Sequence, residues 1–187
     1  MPPCYAPRAT LATMTLDEPS PVDPGLELMR LQAARTALGA MQSRIEAGEP
    51  WPLAAVFGTE PEAAWGPREV LAHLAEMLPF WLGELERVVD GATPPVPFGR
   101  VADDAARIGI IERDRTLPLR VLFARADRGL HDWAERLPTL TAEQRAARGL
   151  HPRRGEMTTV DIMESFVIGH TEEHLEQLES VVSNATG

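Results

Sequence analysis

Apolar residues recur every three or four positions along four long stretches of the chain. The stripes run from Leu31 to Ile45, from Val70 to Val88, from Leu119 to Leu137 and from Met163 to Val181. This spacing places the apolar side chains of each stretch on one face of a helix. No segment alternates between apolar and polar residues for long enough to predict a sheet. The pattern therefore predicts an all-α four-helix bundle, because each apolar face must be buried against the others.

Proline, glycine and threonine residues mark the ends of the predicted helices. The first helix, about 24–47, ends at Gly48, and the second opens at Gly66 with a proline at its first helical position. The last helix begins at Thr158 or Thr159 and runs to about residue 182, since either threonine can cap it. The remaining segments are expected to be loops at 91–99 and 149–157, a third long helix over 118–137, and short helices from Asp103 and over 141–148.

The chain divides into a short irregular segment and one domain. Residues 1–22 are rich in proline and have little periodic apolar content, which predicts a flexible N-terminal tail. Residues 23–183 are expected to form the helical bundle domain, a size that can bury a substantial core.

Charge and composition exclude several classes of function. The net charge is −10 and we find no basic patch, which argues against a nucleic-acid partner. All 18 basic residues are arginine, so there is no lysine for a Schiff base or a phosphate-binding loop. The one cysteine, Cys4, cannot form an internal disulfide. With no membrane-spanning run and no signal-peptide core, a cytoplasmic protein is expected.

Two histidines lie on the apolar face of the last predicted helix. His170 and His174 are four residues apart and therefore one above the other on the stripe that contains Phe166 and Leu178. Two buried imidazoles need partners, which could be a divalent metal ion or ordinary hydrogen bonds to carboxylates and carbonyls. By spacing alone, the hydrogen-bonded pair is the favoured interpretation.

A third histidine shifts the interpretation towards a metal site. His73 lies at the edge of the stripe of the second helix, where it could reach inward at a helix–helix seam. Together with His170 and His174 it would supply three nitrogen ligands and leave a position open for catalysis. His131 is expected on the solvated surface, and His151 in a loop away from the metal.

The segment from His170 to His174 also fits the reversed metallopeptidase pattern His-x-x-Glu-His, in which Glu173 would be the general base. The simpler interpretation of Glu172, Glu173 and the glutamates that follow them is a solvated acidic helix face.

At these histidines the sequence resembles the DinB/YfiT-like superfamily of bacterial metal-binding four-helix bundles. Residues 65–73, Trp-Gly-Pro-Arg-Glu-Val-Leu-Ala-His, are similar to the family's Trp-Ser/Thr-x-x-Glu-x-x-x-His motif, except that glycine replaces the usual cap. Residues 169–178, Gly-His-Thr-Glu-Glu-His-Leu-Glu-Gln-Leu, are similar to its His-x-x-x-His-x-x-Gln signature. The resemblance implies an up-up-down-down bundle, frequent homodimers and a site for zinc, nickel or iron formed by His73, His170 and His174.

The resemblance also implies a chemistry. Better-understood members resemble transferases and isomerases that use a low-molecular-weight thiol of the bacillithiol or mycothiol type. This leads us to expect a transferase that adds such a thiol to an electrophilic small molecule, with the metal deprotonating the thiol. Arg100, Arg153 and Arg154 could bind an acidic thiol or substrate, although a solvated-surface role is the simpler expectation for each.

Two alternatives remain open, and no catalytic residue is assigned beyond the metal ligands. One is a metal-dependent hydrolase, with Glu173 or Glu156 as general base. The other is a non-enzymatic, damage-inducible stress protein in which the metal stabilises the bundle.

Overall fold

The computed structural model describes residues 23–55 and 62–185, so the tail expected at 1–22 lies outside the described residues. The helices, in chain order, are α1 (Pro24–Ala47), α2 (Pro67–Val89), α3 (Ala105–Asp114), α4 (Leu119–Arg136), α5 (Ala142–Arg145), α6 (Thr159–Met163) and α7 (Gly169–Ala185). A π-helical turn, Glu164–Ile168, joins α6 to α7 in one long segment. This segment together with α1, α2 and α4 confirms the four predicted long helices.

The four long helices form a closed ring of contacts. Helices α1 and α2 each pack against α4 on one side and against α7 on the other. The buried stripes are those that the periodicity predicts, with Leu38, Leu74, Leu122 and Leu178 among the side chains that are fully enclosed. None of the helices in the described part of the chain is both long and apolar enough to cross a bilayer.

Local side chains define where the helices begin. At α1, the Asp23 carboxylate accepts a hydrogen bond from the Gly25 N–H at 2.9 Å. At α2, Glu69 folds back to accept from the Gly66 N–H at 3.2 Å, although Gly66 has no side chain to cap the helix itself. At α6, Thr158 and Asp161 form a reciprocal capping box, which confirms the predicted start of the last helix.

A small sheet is present, so the expectation that the chain has no sheet is wrong. Strands β1 (Val96–Pro97), β2 (Arg148–His151) and β3 (Gly155–Thr158) pair in that order, the first pair parallel and the second antiparallel. They occupy the ends of the two segments expected to be loops. After β1 the backbone turns at Gly99, where φ is 80° and a Cβ atom would lie 2.5 Å from the His151 ring.

The π-helical turn changes the face that the last segment presents to the core. The turn accommodates one extra residue, so each later residue takes the angular position that the residue before it would have in an uninterrupted α-helix, a shift of roughly 100°. Phe166, His170 and Val181, which the stripe places in the core, are therefore only half-buried, while Ile168, Thr171 and Val182 are buried instead. Met163, Val167, His174 and Leu178 are buried as predicted.

Candidate metal centre

Three imidazoles from two helices converge inside the bundle. Helix α2 carries His73, and α7 carries His170 and His174. The Nε2 atom of His170 lies 3.1 Å from the Nε2 atom of His73 and 3.2 Å from that of His174. One ring nitrogen from each residue can be chosen such that all three lie within 4.8 Å of one another. The structure thus brings together the three histidines that the sequence singled out.

The hydrogen bonds of the outer ring nitrogens define the tautomers of His170 and His174. The Gln177 amide nitrogen donates to the carbonyls of Glu62 and Trp65 at 2.7 and 3.0 Å. Its oxygen therefore faces the Nδ1 atom of His174, 3.1 Å away, and Nδ1 must carry the proton. The Glu173 carboxylate lies 3.3 Å from Nδ1 of His170 and requires a proton there as well. In their neutral forms both histidines present an Nε2 lone pair to the other.

This arrangement suits a cation between the rings. The lone pairs of His170 and His174 repel each other at 3.2 Å. A proton on Nε2 of His73 could satisfy the contact between His73 and His170, but it would leave the contact between His170 and His174 unsatisfied. Nitrogens bound to one zinc ion at about 2.0–2.1 Å lie roughly 3.3–3.4 Å apart in tetrahedral geometry and about 2.9 Å apart in octahedral geometry. The two separations from His170, 3.1 and 3.2 Å, fall between these values. The donor set therefore fits a divalent metal ion.

Burial keeps two of the three imidazoles neutral. Burial lowers the pKa of His73 well below its ordinary value of 6.5, and the nearby charges of His174 and Arg107 lower it further. Burial, with repulsion from His170, lowers the pKa of His174 to about 4. Near neutral pH both rings are thus in the form that binds a metal ion. The Nδ1 atom of His73 is buried and makes no hydrogen bond within the described residues.

Trp65 forms the wall behind the histidines. Its ring is 2% exposed, stacks on His174 at a centroid distance of 6.4 Å and meets His73 edge-on at 5.4 Å. The indole N–H donates to the carbonyl of Ala55 at 3.2 Å. This packing restricts the rotamers of both imidazoles, and Gln177 ties the same loop to α7.

The π-helical turn comes directly before His170 and affects how that ring is presented. The Gly169 N–H bonds to the carbonyl of Glu164, and a Cβ atom at Gly169 would lie only 3.0 Å from that oxygen. From α1, Arg30 binds Glu164 at 2.7 Å and Glu172 at 2.5 Å, which links the two ends of the turn. As a result the side chain of His170 stays 22% exposed and faces a cavity.

A cavity of about 170 Å³ opens onto the histidine cluster. His73 and His170 lie in its wall together with two aromatic residues, Trp81 and Phe166, and three arginines, Arg100, Arg107 and Arg154. Arg100 forms an ion pair with Glu76 at 2.6 Å, and burial raises the pKa of the Glu76 carboxyl above its ordinary value. The cavity is therefore small, partly aromatic and rich in positive charge.

One carboxylate of the cavity approaches the centre directly. An oxygen of Glu62 lies 3.8 Å from Nε2 of His170, and the other oxygen forms an ion pair with the buried Arg107. The second guanidinium nitrogen of Arg107 donates to the carbonyl of Ala102 at 2.9 Å. Sequence reasoning missed Glu62 because it lies in a loop, where no periodic pattern indicates which side chains turn inward.

Neither glutamate expected as a general base is placed for that role. Glu173 contacts the outer nitrogen of His170, where it orients the ring, and its side chain is 77% exposed. Glu156 lies on β3 in an exposed ion pair with Arg148. Neither carboxylate therefore faces a nucleophile at the three histidines, and the exposure of Glu173 agrees with the simpler prediction of a solvated acidic helix face.

The other two histidines are not part of the cluster. His151 was expected in a loop, but it is buried on β2, where Nε2 donates to the Arg100 carbonyl at 3.1 Å. Its Nδ1 atom accepts from the backbone N–H groups of Arg153 and Arg154 at 3.2 Å each. Both nitrogens are thus engaged, and burial lowers the pKa of this ring below 6.5. His131 on α4 is half-buried rather than fully solvated.

Comparison with known proteins adds a family and a fold. A family model described as the DinB superfamily matches residues 37–178. Among solved structures the chain is similar to one described as "YfiT from Bacillus subtilis is a probable metal-dependent hydrolase with an unusual four-helix bundle topology". The TM-score is 0.66 at 16% identity, over 96% of this chain and 93% of that one, a likeness that concerns the fold alone. No curated protein matches the chain.

Proposed function

The chain belongs to the DinB superfamily, and from this premise we propose that His73, His170 and His174 bind one divalent metal ion. We further propose that the protein uses this ion to transfer a low-molecular-weight thiol to an electrophilic small molecule. The observation that carries the proposal is the pair of Nε2 atoms of His170 and His174, which face each other at 3.2 Å. Hydrogen bonds at their outer nitrogens leave both with lone pairs, which a metal cation between them would bind.

A bound divalent cation would lower the pKa of a coordinated thiol or water and so generate a nucleophile near neutral pH. The protein's own contribution is to orient the ligands and to accept the proton. Gln177 and Glu173 bind the outer nitrogens of His174 and His170, an arrangement typical of metal-binding histidines.

Glu62 is the group placed to receive the proton. Its carboxylate lies beside His170 in the cavity wall, and Arg107 holds it there through an ion pair. When the S–H bond of the thiol breaks, the proton would pass to Glu62, and the sulfur electron pair would form the new bond to the electrophilic carbon. The bond between that carbon and its leaving group would break at the same centre, and the leaving group would depart with that bond's electron pair. The described residues include no cysteine, so the thiol would come from outside this part of the chain.

A metal-dependent hydrolase is the second candidate, because Glu62 could equally accept a proton from water. The name of the YfiT structure, a probable metal-dependent hydrolase, supports the same candidate. The identity of the metal also belongs to the proposal. Zinc or nickel is expected and iron would fit, since three imidazoles discriminate poorly among these ions.

The metal site is tested by elemental analysis of the purified protein. The wild-type chain should carry about one transition-metal ion, and His170→Ala should lose most of it because one of three ligands is gone. The matched control is His131→Ala, a histidine outside the cluster, which should keep the wild-type metal content. Unchanged metal content in His170→Ala would remove the site.

The reaction is tested with the metal-loaded and the metal-free protein. A thiol such as cysteine with 1-chloro-2,4-dinitrobenzene reports transfer, and 4-nitrophenyl acetate without thiol reports hydrolysis. Metal-dependent transfer supports the leading proposal, while metal-dependent hydrolysis alone supports the second candidate. If neither rate responds to metal but metal removal lowers the melting temperature, the ion has a structural role instead.

A further inference from the structure

The three arginines of the cavity differ in whether a carboxylate neutralises them. Arg100 is paired with Glu76 and Arg107 with Glu62. Arg154 lines the same cavity, yet it forms no ion pair with any residue in the part of the chain that the structure describes. Its guanidinium lies over the ring of Phe166 at 4.8 Å instead. The charge of this one arginine is therefore available to a ligand.

The small sheet holds Arg154 in place. The residue lies in the turn between β2 and β3, and its backbone N–H donates to the His151 ring at 3.2 Å. The opposite nitrogen of that ring bonds to the carbonyl of Arg100, which follows β1. Below the guanidinium, Phe166 stacks on Trp81 at 4.2 Å and on His151 at 5.1 Å. Arg154 is thus an exposed turn residue whose guanidinium packs on a stack of aromatic rings at the cavity.

Charge and size then restrict what the cavity can bind. The paired arginines contribute no net charge, so Arg154 leaves the wall positive, and a bound divalent ion would make it more so. A volume of about 170 Å³ restricts the ligand to a small molecule. Phe166, which lies under the Arg154 guanidinium, is part of the same wall as His170 and gives it an apolar surface.

From this arrangement we propose that the cavity binds a small ligand with a carboxylate at one end, and that Arg154 is the residue that recognises the carboxylate. The planar guanidinium suits a carboxylate because it can donate two parallel hydrogen bonds. A short apolar linker would lie along Phe166, and the reactive group would reach the histidine cluster. This inference rests on the proposed function, since it names the ligand class of the same site. The carboxylate could belong to the thiol or to the electrophile.

The test uses cobalt-loaded protein and two thiols that differ only at the far end. These are 3-mercaptopropionate and its neutral amide, 3-mercaptopropionamide, and the sulfur-to-cobalt absorption band reports the binding of each. Wild-type protein should bind the carboxylate about tenfold more tightly or better, the scale of a charge-assisted hydrogen bond. Arg154→Gln should abolish the preference while its affinity for the amide stays unchanged. The matched control, Arg153→Gln, should keep the preference, because Arg153 is the neighbouring exposed arginine but is not among the residues that line the cavity.

A second measurement distinguishes the two sources of the carboxylate. If the electrophile carries the carboxylate, the two thiols should bind equally. Calorimetry should then show that propionate binds to protein already holding 3-mercaptopropionamide, and that Arg154→Gln abolishes the binding of propionate. The inference is overturned if no carboxylate binding depends on Arg154 in either experiment. Failure of the proposed function gives a different result, namely no sulfur-to-cobalt band with any thiol. Calorimetry with propionate alone then still decides whether Arg154 binds a carboxylate.

Discussion

Gln177 connects the candidate metal ligands to the loop before α2. Its side chain has two roles, one in the stability of the fold and one in metal affinity, and replacing it can separate them. The amide oxygen faces the Nδ1 atom of His174 at 3.1 Å, and the nitrogen donates to the carbonyls of Glu62 and Trp65 at 2.7 and 3.0 Å. In Gln177→Leu all three bonds are lost. At about 1 kcal/mol each, the free energy of unfolding of the metal-free protein should fall by about 3 kcal/mol.

The same variant should weaken metal binding. Loss of the outer hydrogen bond of a metal-binding histidine reduces metal affinity about 10- to 100-fold. This corresponds to about 1.4–2.7 kcal/mol. The assay is a competitive titration of zinc between the protein and a chromogenic chelator. Urea unfolding of the metal-free protein gives the stability term separately.

Gln177→Glu is the matched variant, because it keeps an acceptor for His174 and removes only the donors. A carboxylate in this position should leave zinc affinity within a few-fold of wild type or raise it, since it increases the basicity of the imidazole. It should nevertheless lower stability by about 2 kcal/mol or more, because two carbonyls lose their donor and face a carboxylate oxygen. Wild-type zinc affinity in Gln177→Leu would refute the reasoning and also count against His174 as a ligand.

Three further predictions concern packing, metal removal and pH. Gly129→Ala should destabilise the protein by about 1–3 kcal/mol, because a Cβ atom there would lie 2.7 Å from Cβ of Leu78. Gly109→Ala is the control, since a Cβ atom there meets nothing within 4 Å, and it should stabilise the protein by about 0.5–1 kcal/mol. Equal urea midpoints for the two variants would contradict the contact between residue 129 and Leu78. Chelation should lower the melting temperature of wild-type protein and leave that of His170→Ala unchanged, whereas equal shifts would place the ion elsewhere. Burial lowers the pKa of His151 below 6.5, so the contribution of this ring to stability should be complete above pH 6.5 and be lost as the pH falls towards the folded-state pKa. Between about pH 7.5 and 5.5, the free energy of unfolding should therefore decline less in His151→Gln than in wild type. Parallel curves would show that the ring is not buried as a neutral group.

Much of the helical architecture could be read directly from the sequence. The stripes of α1, α2 and α4 have the period of a helix and are buried as predicted, because the burial of a regular helix depends on local spacing alone. Proline and threonine signals likewise placed the starts of α2 and α6. The candidate ligands were found for the same reason: imidazoles on or beside an apolar stripe must turn inward.

Other features depend on contacts between distant parts of the chain. Val96 pairs with Gly149, far along the sequence, and strands of two to four residues are too short to show a period of two. Glu62 and Arg154 enter the cavity from a loop and a turn, where side-chain direction follows no repeat. The sequence offered Glu173 and Glu156 only as candidate general bases for the alternative hydrolase, since spacing along a chain cannot show which carboxylate another element brings to the centre.

The sequence by itself determined which long segments are helices and which three imidazoles are the candidate ligands, because both follow from residue patterns within a few turns of a helix. Tertiary structure decided what surrounds those imidazoles. The π-helical turn before Gly169 left His170 exposed to a cavity, and the sheet brought Arg154 to the same cavity. These placements arise from hydrogen bonds and packing between residues remote in sequence, whose energies no local pattern encodes.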